Sequence, residues 1–133
     1  MSVLALPKLP AQSGKQQWTH LQGASAALAL AQAAQSQPRL SVLITESSQS
    51  AIRLQQELSF FAPDLPVLLF PDWEILPYDL FSPHQDIISQ RIATLYQLPQ
   101  LQHGIVIIPI TTALQRIAPT NFLLGSSLVL DVG

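Results

Sequence analysis

Three short runs of unbroken apolar sequence constrain this chain more than any other feature: Leu40–Thr45 (LSVLIT), Pro66–Phe70 (PVLLF) and Gly104–Ile108 (GIVII). Each has the length of a strand, and each is bounded by turn or helix signals. A strand wet on one face alternates apolar and polar residues, whereas an unbroken run belongs to a strand covered on both faces, the usual condition in a parallel sheet. Parallel strands need long crossover connections, and the segments between these runs have helical character. The pattern predicts an α/β fold, a mainly parallel sheet with helices on both faces. At 133 residues the chain has room for one such domain, spanning 1–133, and not for two.

The helices are marked by their ends. Gly23–Gln37 (GASAALALAQAAQSQ) is rich in strong helix formers, carries no charge and stops at Pro38, which predicts a helix buried over much of its surface. Ser47 offers an N-cap to a helix whose apolar stripe is Ala51, Leu54, Leu58 and Phe61, and which ends before Pro63. Ser82-Pro83-His84-Gln85 reads as a capping box with proline at the first helical position and Asp86 in the positive first turn. That helix carries Ile88, Ile92 and Leu95 on one face and ends near Pro99. A short helix is predicted over Thr111–Ile117 and a last strand over Ser127–Val132. An ending directly after a strand is unusual for a doubly wound sheet, so the pattern also predicts a piece of a longer protein.

Composition removes several classes of function. Six basic and eight acidic residues give a net charge of −2, which supplies no general field to hold a polyanion. Charged residues make up 11% of the chain, against a norm of about 25%. So weakly charged a surface suits a chain with neighbours. Every apolar run is interrupted well short of the ~20 residues that span a bilayer, and Met1–Pro10 lacks the apolar stretch and cleavage site of a secretory signal. With no cysteine there is no disulfide framework, no thiolate nucleophile and no cysteine zinc site. A cytosolic home is permitted by that absence.

The motifs that usually carry chemistry in an α/β fold fail one at a time. A phosphate loop needs G-x-x-x-x-G-K-[ST], yet the two lysines, Lys8 and Lys15, both precede Gly23, and Gln16 stands where the hydroxyl should be. A dinucleotide fingerprint needs three glycines in six residues, and the five glycines of the chain are never so close. Gly23-Ala24-Ser25-Ala26-Ala27 comes within one residue of the G-x-S-x-G nucleophile elbow, but only a weak strand precedes it and Ala27 replaces the last glycine. A helix beginning near Ser25 explains the same residues. The histidines at 20, 84 and 103 form no pair at helical spacing, so no metal site is indicated.

What remains is the segment Asp72–Phe81, which combines three carboxylates with three aromatic residues outside any periodic element. Two readings fit it. As a recognition surface, its Trp73 and Tyr78 would supply large contact area with few rotors to freeze. As a structural loop, it would tuck Trp73, Leu76 and Phe81 into the core while the carboxylates cap helices or pair with Arg91. The candidate interaction residues are Asp72, Trp73, Glu74, Tyr78 and Arg91.

At this loop the sequence is similar to a known family. Phe70-Pro71-Asp72-Trp73-Glu74, Leu76-Pro77-Tyr78-Asp79, Ser82-Pro83-His84-Gln85-Asp86-Ile87, Arg91, Thr94-Leu95-Tyr96-Gln97-Leu98-Pro99 and Gln115-Arg116 resemble the N-terminal end of the bacterial transcription-repair coupling factors, the Mfd family. The resemblance covers nearly the whole chain. It implies a multidomain DNA translocase that displaces stalled RNA polymerase and recruits the excision-repair protein UvrA. It also implies that this chain is the first part of a module resembling UvrB, whose first domain has a RecA-like fold of the P-loop NTPase type.

The resemblance further implies a cytoplasmic protein and a degenerate nucleotide site. Where UvrB holds a working phosphate loop, the stretch Gln22–Leu28 has Ala26 and Ala27 in place of lysine and hydroxyl, near Gly23. No cofactor, metal or catalytic residue is then expected in this fragment, and no membrane partner. The DNA-inserting hairpin of UvrB has no counterpart in the short passage Asp72–Asp86. Contacts to UvrA are implied mainly in the adjoining domain beyond Gly133, with RNA polymerase and DNA reached through the rest of the parent. The implied role is a non-catalytic docking domain. The alternative is an enzyme domain that keeps weak ATP binding through backbone amides near Gly23.

Overall fold

The computed structural model describes residues 13–72 and 85–115. Helix α1 (Ser25–Gln35) opens without a side-chain cap and buries Ala27, Ala29, Ala31, Ala33 and Ala34. It ends where the Ser36 N–H donates to Gln32 O and the Ser36 hydroxyl donates to Ala33 O at 2.8 Å, two residues before Pro38. Strand β1 (Leu40–Thr45) follows, then helix α2 (Ser48–Phe61). Ser47 caps α2 as expected, its hydroxyl oxygen accepting from the Ser50 N–H at 3.1 Å. Such a cap is worth ~1 kcal/mol. Beyond α2 the buried Ala62 and Leu65 turn the chain into β2 (Val67–Leu69).

Helix α3 (Gln85–Gln97) continues as a single tight turn over Leu98–Gln100 and leads to β3 (Gly104–Pro109). Helix α4 (Ile110–Ala113) is shorter than the expected Thr111–Ile117, and it begins directly off the strand. Of the capping box expected at 82–85, Gln85 alone is described, as the first residue of α3. The strand expected at 127–132 lies outside the described residues, as do positions 1–12.

The three described strands are parallel in the order β1-β3-β2, so the last of them along the chain is the central one. Register sets Leu43 beside Ile107 and Ile107 beside Leu69. These side chains share one face, and that face carries the core: Ala31 and Ala34 of α1, Ala51 and Leu58 of α2, Leu65, Leu69, Ile105 and Ile107. The small alanines let α1 and α2 lie close to each other above the sheet. The crossover from β2 back to β3 runs opposite to that from β1 to β2. Right-handed connections therefore put α3 on the face away from α2. On that second face Val106 is 1% exposed, but Val42 and Ile44 of β1 are 56% and 60% exposed. The run 40–45 was expected to be buried on both faces. It is instead a strand at the edge of the described sheet, covered on one.

Glycine is required where β3 enters the sheet. Gly104 has φ +135°, and a Cβ there would sit 2.6 Å from the Pro66 carbonyl oxygen, the same oxygen that accepts the Ile105 N–H at 2.8 Å. Gly23 has φ +58° with open space around it. Gly104→Ala is expected to cost about 2 kcal/mol or more, because strain and collision act together, whereas Gly23→Ala costs ~1 kcal/mol for the left-handed backbone alone. Urea unfolding of the two variants should separate them, Gly104→Ala having the lower midpoint.

Candidate functional site

In an open parallel sheet, ligands and partners meet the loops at the carboxyl ends of the strands. Here that end carries Glu46 and Ser47 after β1, Phe70-Pro71-Asp72 after β2 and Ile110-Thr111 after β3. The loop ends of β2 and β3 are tied together by the Thr111 hydroxyl, which donates to Asp72 Oδ2 at 2.8 Å. At the opposite end lies an open depression of about 610 Å³ lined by Gln35, Ser36, Gln37, Pro38, Gln102 and His103. Its lining includes no lysine, arginine, aspartate or glutamate, and it is on the wrong side of the sheet for such a site.

Arg91 organises the carboxyl end. It lies on the buried side of α3 at 4% exposure, and its Nη1 donates to the Pro71 carbonyl at 2.6 Å. Its guanidinium carbon stands 4.3 Å from the centre of the Phe70 ring, a cation–π geometry. Burial pushes the Arg91 pKa down from its ordinary value, and the nearby Asp72 carboxylate offsets part of that shift. One turn along the helix, the Thr94 hydroxyl donates to Leu69 O at 3.0 Å. Two α3 side chains thus satisfy consecutive stretches of backbone where β2 ends and the acidic loop begins.

Of the residues singled out in the sequence, the structure brings Asp72 and Arg91 together. Trp73, Glu74 and Tyr78 lie outside the described residues, as do Leu76 and Phe81. Gly23, Ala26 and Ala27 lie apart from this cluster, at the start of α1. There the Ser25 hydroxyl turns back to donate to Gln22 O at 2.6 Å, and Ala27 is fully buried. Ala26 and Ala27 bring methyl groups where a phosphate loop brings an ammonium and a hydroxyl.

Thr94 and Thr111 were missed by sequence reasoning. Thr94 carried a usable signal, a hydroxyl one turn beyond Arg91 on the same helical face; Thr111 carried none, because its partner is 39 residues away. Among the described residues no group of His, Asp and Glu could hold a metal ion, and no helix is long and apolar enough to cross a membrane. The chemistry of the Arg91 arrangement is that of a fastening: it fixes the start of the 72–81 segment against the sheet.

No protein-family model matches the chain. It is 47% identical over 126 residues to the transcription-repair-coupling factor of Escherichia coli strain K12, which covers 94% of this chain and 11% of that protein. It is 42% identical over 107 residues to that of Haemophilus influenzae Rd, 80% of this chain and 9% of the relative. To that of Rickettsia bellii it is 33% identical over 82 residues, 61% of this chain and 7% of the relative. The chain spans about a tenth of the length of the relatives it matches.

The fastening can be tested by taking it apart. Arg91→Met removes a charge-assisted bond and the stacking on Phe70 and leaves the Pro71 carbonyl short of a donor, an expected loss of about 2–3 kcal/mol. Thr94→Val keeps the shape and strands one carbonyl, about 1–2 kcal/mol. In the double variant the losses should add to less than their sum, since both act at one strand end. Equilibrium unfolding of the three variants reads all of this.

Proposed function

This chain belongs, as a segment, to the transcription-repair coupling factors, and we propose that its work there is docking. In this reading it is a non-catalytic α/β domain at the N-terminal end of the parent protein, RecA-like in ancestry, that supports UvrA recruitment during transcription-coupled excision repair and packs against other domains of the same polypeptide. The observation that carries it is the match itself: 94% of this chain aligns at 47% identity with 11% of a coupling factor. A segment of that size, with 11% charged residues and large apolar side chains left exposed, is suited to being one body among several.

Within that role the residues divide. Arg91, buried against Phe70 and Pro71, positions the loop and does not itself reach a partner. Asp72, Trp73, Glu74 and Tyr78 form the candidate surface, with the UvrA contact made mainly by the adjoining part of the parent beyond Gly133. RNA polymerase and DNA are engaged elsewhere in the parent, which works in the cytoplasm as an ATP-driven translocase. The site near Gly23 has lost nucleotide binding, a reading supported by the methyl groups of Ala26 and Ala27.

Two measurements test these statements. A UvrA titration compares these 133 residues with a version extended into the next part of the parent protein. The expected result is binding by the extended version alone; binding by both would move the contact into residues 1–133. Calorimetric titration of ATP with magnesium into the chain should give no binding heat at millimolar nucleotide. A saturable signal there would restore the nucleotide-binding alternative.

A further inference from the structure

No further inference is drawn: the strongest candidate, the exposed Phe60 ring that meets Phe61 edge to face at the end of α2, is an apolar surface patch, and nothing in the structure shows what covers it.

Discussion

The fold depends on inserting β3 between two strands that precede it in the chain. β3 is apolar throughout, hydrogen-bonded on both sides, and supplies Ile105 and Ile107 to the core beneath α1 and α2. Its entry is tight enough that Gly104 passes the Pro66 carbonyl with no space for a methyl group. Neither β1 nor β2 pairs with the other in this sheet, so without β3 their apolar residues would have no common surface. Among the described strands this long-range pairing comes last along the chain and holds the other two in register.

From that insertion the two ends of the sheet acquire different characters. At the amino end the chain closes on itself through the Gly104 and Pro66 approach, beside the open depression between Gln35–Pro38 and Gln102–His103. At the carboxyl end the loops after β2 and β3 meet: Arg91 and Thr94 donate to the backbone carbonyls of Pro71 and Leu69, and the Thr111 hydroxyl donates to the Asp72 carboxylate. Burying a guanidinium is costly unless its donors are used and its charge is balanced. Here a carbonyl, an aromatic face and a nearby carboxylate do both. Such an arrangement uses a buried charge to hold the end of β2 and the start of the following loop in place.

Much of this was readable from local rules. The alanine-rich helix, the Ser47 cap, the stop before Pro63 and the three strand runs all follow from propensity, capping and periodicity, each acting over a few residues. Arg91 was readable as a partner for the loop carboxylates, since it is the one basic residue of α3 and the stretch before that helix carries three carboxylates. The exposure of Val42 and Ile44 was not readable, because an apolar run looks the same in a central strand and in an edge strand. Thr111 was not readable either, since nothing local distinguishes a threonine that ties two loops from one that faces water.

The sequence by itself determined the α/β class, the Ser47 start of α2 and its stop before Pro63, and the kinship with coupling factors, because these depend on residue type, local spacing and ordered motifs. Only the tertiary structure decided that β3 lies in the middle of the described strands, that Val42 and Ile44 of β1 stay exposed, and that Arg91 faces inward. Those outcomes depend on which strands meet across tens of residues of intervening chain, and pairing energy at that range leaves no mark on any single stretch of sequence.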